Sequence, residues 1–258
     1  MRIIVTRPQT QADALVAELR AAGADAVALP LIDISPVADA QPLRAAWGSL
    51  DTRALLMFVS ANAVQHFMAL RPASAAWPAH LLAGSTGPGT SAALREAGVP
   101  PAFLVEPDGE VFDSEALWQR LRARDWQGRR VLVVRGEGGR DWLAEQLRAR
   151  GATVDFVAAY RRCPPRLDAA ARGVLAAALA QPRQHLWAIS SSQALAHLAD
   201  LAPQADWREA AAVAPHARIV TVLQQLGFGQ VRLAAADAAE LAAAAVKRQG
   251  PPIQSAAP

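Results

Sequence analysis

The chain has 258 residues, of which 52% are hydrophobic and 19% charged, a composition typical of a globular protein with one large or two modest domains. Its net charge of +3 is too small to indicate a nucleic-acid partner, no apolar run predicts a membrane span, and the single cysteine, Cys163, excludes an intrachain disulfide and gives no sign of a metal cluster. We therefore expect a cytoplasmic protein. Residues 2–8 (RIIVTRP) turn polar after three apolar residues, which predicts a buried strand instead of a signal peptide.

The predicted elements repeat along the chain. Residues 2–7 (RIIVTR) align on residues 130–135 (RVLVVR), and the same register, without a gap, places Gly23 opposite Gly151. Each copy predicts a strand, an amphipathic helix, a glycine at the left-handed end of that helix, and a second strand that leaves through a proline.

A second set of matched segments follows each copy. Residues 58–64 (FVSANAV) parallel residues 189–195 (ISSSQAL), and each predicts an apolar strand that runs into a serine able to cap the next helix. The other matches are strand and helix pairs at residues 81–98 and 211–228, and at residues 102–122 and 230–248.

Strands that alternate with helices of ten or more residues predict an α/β protein with doubly wound parallel sheets, and two sheets are needed to hold all the strands. The repeat is compatible with two divisions of the chain. A cut near Gly128 would place the copies side by side. Alternatively, the extended segments at residues 30–36 and 158–165 could pair as a ladder between two lobes, which would make the middle of the chain an inserted lobe.

One glycine motif raises the question of a dinucleotide. Residues 87–92 (GPGTSA) follow a predicted strand and open a helix, as in the fingerprint G-x-G-x-x-A. The motif lies in a middle unit, however, and Glu106 and Asp108 do not clearly end a second strand. The alternative is a helix start whose bare amides hold an anion. Residues 136–139 fail the fingerprint because Asp141 occupies its third glycine position.

Serine, threonine, glycine and arginine recur where the predicted strands end. They are Thr6 with Arg7, Ser60, residues 85–87, residues 135–136 and residues 190–192. Because strand ends in open α/β sheets face the ligand crevice, these hydroxyls, helix starts and arginines predict a crevice for an anionic ligand. The simpler interpretation is that each serine or threonine is an ordinary helix cap.

Tyr160, the only tyrosine, lies in the second extended segment, where its phenol could face the crevice and donate a proton, or pack at a domain junction. His66 and His197 occupy matching helix positions and predict packing residues, whereas His216 opens a helix and could have either role. Four tryptophans are predicted to pack in the core or between lobes: Trp47, Trp118, Trp142 and Trp207.

As an ordered set, several segments resemble the uroporphyrinogen-III synthase (HemD-like) family. They are residues 5–8, 29–36, 58–64, 87–90, 113–117, 131–135 with 147–152, 157–162, 190–192, and 216–219 with 227–228. The resemblance implies two HemD-like (flavodoxin-like) parallel-sheet lobes joined by a two-stranded ladder, with the active site in the cleft between them. It implies lobe 1 at residues 1–34 and 165–249 and lobe 2 at residues 37–160. Residues 250–258 are expected to be a disordered tail.

The resemblance also implies a hydro-lyase that closes hydroxymethylbilane with inversion of its last ring, needs no cofactor and binds no metal. It further implies a monomer without nucleic-acid or membrane partners, which receives the bilane by transient handover from hydroxymethylbilane synthase. Two alternatives belong to other classes: a non-enzymatic two-lobed sensor of an anionic ligand, and an NAD-linked oxidoreductase built on residues 87–92.

By the same resemblance, Tyr160 would assist the departure of hydroxide from the substrate. The residues expected to bind the substrate are Thr6, Arg7, Ser60, Asn62, Gly87, Thr90, Ser114, Ser191 and His216. Two positions depart from the family pattern, since Ala61 stands where a proline is frequent, and His216-Ala217 stands where a Gly-Pro-like start is another option.

Overall fold

The computed structural model describes residues 1–109, 111–235 and 237–247, and the predicted tail at residues 250–258 lies outside them. The chain divides into two compact units. The first contains Met1–Asp33 and the chain from Cys163 onward, and the second is the continuous segment Ile34–Arg162. Gly128 therefore lies inside the second unit. The limits of the two lobes as independently folding domains stay a prediction.

The strands, in chain order, are β1 (Arg2–Val5), β2 (Ala26–Ala28), β3 (Asp33–Pro36), β4 (Leu55–Phe58), β5 (Leu82–Ser85), β6 (Leu104–Val105), β7 (Arg130–Gly136), β8 (Thr153–Cys163), β9 (His185–Ala188), β10 (Ala211–Ala214) and β11 (Gln230–Leu233). The α-helices are α1 (Gln9–Ala21), α2 (Gln41–Trp47), α3 (Ala61–Met68), α4 (Pro88–Glu96), α5 (Ser114–Leu121), α6 (Trp142–Ala149), α7 (Ala169–Ala180), α8 (Ser192–Leu201), α9 (Ala217–Gln225) and α10 (Ala238–Lys247). Within the described residues, no helix is both long enough and apolar enough to cross a membrane.

Each unit is built on its own sheet. The first has five strands in the order β11-β10-β9-β1-β2, and all neighbouring pairs are parallel. The second has six strands in the order β3-β8-β7-β4-β5-β6, and the four pairs from β8 to β6 are parallel. The predicted class, two doubly wound parallel sheets, is confirmed.

The repeat explains the strand order. Counted along the chain, the strands of the first sheet have the order 2-1-3-4-5, which is the flavodoxin-like order. The second sheet shows the same arrangement only if β7 and β8 are counted before β4, β5 and β6, so each sheet combines the first two strands of one copy with the later strands of the other. The direction of winding reverses between β1 and β9 in the first unit and between β7 and β4 in the second. In such sheets a ligand binds beyond the carboxyl ends of the strands at the point of reversal.

The two extended segments form β3 and the end of β8, which are neighbours at one edge of the second sheet. Nε of Arg161 donates a 3.2 Å hydrogen bond to the carbonyl of Pro36 across this pair. The predicted pairing of these segments is confirmed. The two boundaries between the units, after Asp33 and after Arg162, therefore fall in these two adjacent strands.

Both faces of the second sheet are buried, as parallel strands require. Alternate residues of β4 point to opposite faces, so Leu56 and Phe58 belong to one apolar cluster and Leu55 and Met57 to the other. The first cluster is covered by α3 and α4, and the second by α5 and α6. Each fully buried leucine contributes roughly 1.5–3 kcal/mol of transfer free energy.

The local signals in the sequence behave as predicted. Gly23 and Gly151 follow α1 and α6 with φ of 79° and 84°, a left-handed conformation that side chains rarely adopt. Trp47, Trp118 and Trp207 are buried and Trp142 is half-buried against the core. The repeat did not reveal α2 and α7: α2 has only seven residues, and α7 is alanine-rich and lacks a clear apolar period.

Candidate active site

Thr6 lies at the switch point of the first unit, directly after β1. Its Oγ1 donates a 2.7 Å hydrogen bond to the carbonyl of Ala188 at the end of β9, and its own carbonyl accepts from the amide of Leu31. The residue is only 1% exposed. Its hydroxyl therefore joins the diverging strands and is not presented to a ligand in this structure.

Arg7 follows Thr6 and is half-buried beside two carboxylates, those of Glu18 and Asp237. These three residues, with Gln11, line part of a pocket of about 400 Å³ on the first unit. Burial lowers the pKa of the Arg7 guanidinium, and the two carboxylates act in the opposite direction. Arg7 thus remains a cation at the carboxyl edge, with part of its charge balanced by the protein.

Ser191 and His216 begin two neighbouring helices of the first unit. The Oγ of Ser191 accepts a 3.2 Å hydrogen bond from the amide of Gln193 and caps α8. His216 is the N-cap residue of α9 but makes no capping bond with its side chain, which is exposed. The amides at the start of α9 therefore keep their capacity to bind an anion.

Ser60 and Asn62 mark the switch point of the second unit, directly after β4. The Oγ of Ser60 accepts a 3.2 Å hydrogen bond from the amide of Ala63 and caps α3. Asn62 is the second residue of this helix, and both side chains are half-buried. The predicted caps at Ser60 and Ser191 are both confirmed, which leaves open a second role for each hydroxyl.

Tyr160 lies in β8, and its hydroxyl contacts Ser60. The Oγ of Ser60 is 3.1 Å from the phenol oxygen, although the two residues are 100 positions apart in sequence. Of the two alternatives for this side chain, the structure shows the packed one, because Tyr160 is only 1% exposed. Its ring packs in the apolar cluster beneath α3, together with Phe58 and Val134.

Two neighbours fix the ring of Tyr160. A Cβ atom added to Gly136 would lie 2.9 Å from two ring carbons, so only glycine leaves room for the phenol at this place. The imidazole of His66 stacks on the phenol ring, with 6.0 Å between centroids. Burial lowers the pKa of His66 below its ordinary value of 6.5, so the imidazole is neutral at pH 7.

The two matched histidines contact similar places in the two units: His197 contacts Leu31, which follows β2, and His66 contacts Tyr160 in β8. Nδ1 of His197 lies 2.6 Å from the carbonyl of Leu31 and the residue is buried, whereas His66 stacks on Tyr160. The predicted packing role is confirmed for His197. For His66 the structure adds contact with the candidate catalytic side chain.

Arg162 is a residue that the sequence reasoning missed. Its Nη2 lies 3.3 Å from the hydroxyl of Tyr160, and its guanidinium carbon is 5.7 Å from the centre of the ring. The available signal was the period of a strand, since residues two apart in β8 lie on the same side. Tyr160 thus has a hydroxyl and a cation within hydrogen-bond distance of its phenol oxygen.

Gly87 and Thr90 lie at the start of α4, after β5. Gly87 is the extended N-cap residue, and Thr90 is buried, with 6% exposure. The dinucleotide fingerprint requires its third position to pack closely against the strand, but Ala92 is exposed. A close approach of the backbone does not require glycine here either, since a Cβ on Gly89 would meet nothing within 4 Å. The geometry does not support an NAD site.

Ser114 is the first residue of α5 and is half-buried. Asp113 precedes it and caps the helix, because its Oδ1 accepts a 2.7 Å hydrogen bond from the amide of Ala116. This helix start therefore already holds an anion, which weakens the case for Ser114 as a contact for a carboxylate. In the described part of the chain, no group of three or more His, Cys, Asp or Glu side chains could hold a metal ion.

Among the predicted site residues, the structure brings Ser60 and Tyr160 into direct contact. The second unit also carries Asn62 beside Ser60, and Gly87 at the start of the next helix. The first unit carries Arg7, Ser191 and His216 where β1, β9 and β10 end. Thr6 and Thr90 are buried and serve the fold.

Fold and site together define a class: two parallel-sheet α/β units with helix starts, hydroxyls and arginines at the carboxyl edges of their sheets. Within this class, the family model described as "Uroporphyrinogen-III synthase HemD" matches residues 13–242. The chain belongs to the uroporphyrinogen-III synthase family.

Curated relatives agree with this membership. The chain is 32% identical over 200 residues to a uroporphyrinogen-III synthase of Salmonella typhimurium, an alignment that covers 74% of this chain and 80% of the relative. It is 34% identical over 171 residues to the Escherichia coli synthase, with 66% and 68% covered. The chain is accordingly an enzyme of the lyase class in porphyrin biosynthesis, and the non-enzymatic sensor is not favoured.

Solved structures agree in fold. A mutant uroporphyrinogen III synthase of Thermus thermophilus superposes with a TM-score of 0.57 at 17% identity, covering 96% of this chain and 98% of that one. The Helicobacter pylori synthetase gives a TM-score of 0.55 at 16% identity, with 95% and 99% covered. At this identity the likeness concerns the fold alone.

Proposed function

We propose that the chain converts hydroxymethylbilane, a linear tetrapyrrole with acetate and propionate arms, into uroporphyrinogen III and water. The hydroxymethyl C–O bond of the first ring breaks, and the pyrrole nitrogen supplies the electron pair that forms an azafulvene. The substituted carbon of the last ring attacks this carbon and gives a spiro intermediate. That intermediate fragments and recloses at the other α-carbon, which loses its proton, so the last ring is inverted. No external oxidant or reductant is needed.

The main task of the protein is to hold one conformation of a flexible substrate. The bilane closes unaided without inversion, so the enzyme must favour the arrangement that leads to the spiro intermediate. Proximity and orientation then supply most of the rate enhancement, and protonation of the leaving hydroxide is a second contribution.

The observation that carries this proposal is the environment of the Tyr160 hydroxyl, 3.1 Å from Ser60 Oγ and 3.3 Å from Arg162 Nη2. A phenol held beside a second hydroxyl and a guanidinium can donate its proton to a departing hydroxide and recover it through the hydroxyl. We therefore assign proton donation to Tyr160. The ring is only 1% exposed, so the hydroxyl must become accessible when the substrate binds, and the apolar cluster around the ring then keeps water from the reacting atoms.

We assign the substrate carboxylates to a narrower set of residues than the sequence predicted. Thr6 and Thr90 are omitted because they are buried, and Ser114 because Asp113 already caps its helix. The retained residues offer a cation, hydroxyls, an amide or a helix start at the carboxyl edges: Arg7, Ser60, Asn62, Gly87, Ser191 and His216.

By the family resemblance we also propose that the enzyme works in the cytoplasm as a monomer, without a cofactor, a nucleic acid or a membrane. The substrate would arrive by transient handover from hydroxymethylbilane synthase. Light scattering on the purified chain tests the monomer, and a concentration-dependent mass above 27.2 kDa would contradict it.

The activity is tested by giving the purified chain freshly made hydroxymethylbilane and resolving the type I and type III isomers after oxidation. We expect type III product in excess over the unaided reaction, and a mixture equal to the enzyme-free control would overturn the proposal. Tyr160→Phe should slow turnover roughly 10- to 100-fold with an unchanged fold. Thr52→Ala, which removes an exposed hydroxyl bonded to Ser49, is the matched control.

A further inference from the structure

Arg162 is placed by the strand that carries Tyr160. The two residues are separated by one position in β8 and therefore lie on the same side of the strand. The guanidinium donates to the phenol oxygen over 3.3 Å, and its carbon lies 5.7 Å from the ring centre. Tyr160 is 1% exposed, whereas Arg162 is exposed. A molecule that approaches the phenol from this side meets the guanidinium first.

The charge of Arg162 is not balanced by the described part of the chain. Across residues 1–109, 111–235 and 237–247, no carboxylate lies within the 4.0 Å limit of an ion pair with it. Arg135, at the end of β7 in the same unit, is instead paired with Asp141 and lies over the ring of Phe156. Among the residues that the structure describes, Arg162 thus has no acidic partner, and it lies next to the candidate catalytic hydroxyl.

The chemistry of the guanidinium indicates its ligand. An arginine has five N–H donors in a planar fork, which matches a carboxylate in two parallel hydrogen bonds. The contact with Tyr160 uses the terminal nitrogen Nη2. Other donors of the exposed fork can bind a carboxylate while this contact persists, so no movement of the side chain is required.

We infer that Arg162 binds one carboxylate arm of the substrate beside Tyr160 and thereby fixes which pyrrole ring lies against the phenol. This inference rests on the proposed function, because it requires a substrate that carries carboxylates. Arg162 is a specificity-determining residue on this account. It selects the productive arrangement of the bilane and so favours the inverted product.

The neighbouring arginine provides a matched control. Arg161 is also exposed, but its Nε donates to the carbonyl of Pro36, and the alternation of the strand directs it away from Tyr160. Arg161→Gln removes the same charge from the adjacent position. It should leave KM and the isomer ratio close to those of the wild type.

The test compares Arg162→Gln, Arg162→Lys and Arg161→Gln in the bilane assay, with KM, kcat and the type III to type I ratio as readouts. Loss of a charge-assisted pair should raise KM roughly 10- to 100-fold in Arg162→Gln and lower the share of type III product. Arg162→Lys keeps the charge without the fork and should recover part of the KM. Circular dichroism establishes whether each variant is folded. If Arg162→Gln does not fold, the KM and isomer ratio of Arg162→Lys test the inference instead.

Two results separate this inference from the proposed function. If the wild type does not produce the type III isomer, the proposed function fails. If the wild type does so and both Arg162 variants retain its KM and isomer ratio, or change them no more than Arg161→Gln does, only the role of Arg162 fails. A fall in kcat with an unchanged KM would also overturn it, because that pattern indicates positioning of Tyr160 without binding of a carboxylate.

Discussion

The Oγ of Ser60 lies 3.1 Å from the hydroxyl of Tyr160 and at the same time accepts a hydrogen bond from the amide of Ala63 at the start of α3. One side chain therefore connects the cap of a helix with the candidate proton donor. This relationship couples the local stability of α3 to the position of the phenol oxygen. It leads directly to the first prediction.

Ser60→Ala should lower both stability and turnover. Loss of the cap costs about 1 kcal/mol of unfolding free energy, and loss of the hydroxyl removes the partner of Tyr160. The matched control is Asp168→Ala, which removes the cap of α7, where Asp168 accepts from the amide of Ala171 far along the chain from this site. Urea unfolding should show similar losses for both variants. Equal turnover in the two would contradict a role for the Ser60 hydroxyl beyond capping.

Gly136→Ala should displace the ring of Tyr160. The new methyl group would lie 2.9 Å from two ring carbons, closer than such atoms approach in proteins, and the phenol has buried neighbours on its other side. We expect a loss of stability of about 1–3 kcal/mol, as in other overpacked cores, together with slower turnover. Thermal unfolding and the bilane assay measure the two effects.

Gly173→Ala is the control for this substitution. Gly173 lies in α7, is exposed, and a Cβ there meets nothing within 4 Å. Alanine should therefore stabilise the helix by up to about 1 kcal/mol without any effect on turnover. If Gly136→Ala matched this control in both stability and turnover, the close approach to Tyr160 would be refuted.

Asp155 should contribute stability that depends on pH. The hydrogen bond from Arg53 is the main cause that lowers the pKa of Asp155 from its ordinary value of 3.8, and Arg53 is buried to 7% exposure. Because the folded pKa is the lower one, this contribution is fully present above pH 3.8 and is lost as the pH falls through the folded value.

Asp155→Asn removes the carboxylate and should destabilise the protein by about 1 kcal/mol at pH 7, a modest amount because the carboxylate is 41% exposed. Urea unfolding of wild type and variant at pH 7 and at roughly pH 3 measures the difference, which should shrink at the lower pH. A difference that stays constant or grows on acidification would show that the ion pair is not its source.

The segment Ile34–Arg162 should fold by itself. It is continuous, contains a complete six-stranded sheet and has its own apolar clusters on both faces. We expect the isolated fragment to unfold cooperatively on heating, as judged by circular dichroism. A shorter fragment that ends at Gly128 lacks the central strand β7 and its neighbour β8, so it should not fold. Failure of the longer fragment would show that these limits do not define a domain.

The sequence by itself determined most of the local elements and their repetition, with α2 and α7 as exceptions. Apolar periodicity, the glycine helix ends at Gly23 and Gly151, and the serine caps at Ser60 and Ser191 depend on residues within one or two turns of chain. Because both copies encode the same alternation of strands and helices, the class of two parallel sheets followed. Sequence patterns that span only one or two turns of chain cannot show which side chains from distant segments meet across the sheet.

Only the tertiary structure decided the surroundings of the candidate chemistry. Thr6 bonds a carbonyl 182 positions away, and Tyr160 meets Ser60 across 100 positions, so neither the burial of Thr6 nor that of the phenol could be inferred from neighbouring residues. Arg162 became a candidate because β8 turns it to the same side as Tyr160 in the folded sheet. The physical reason is that side-chain environments arise from packing between distant segments, whereas helices, strands and caps arise from contacts along the chain.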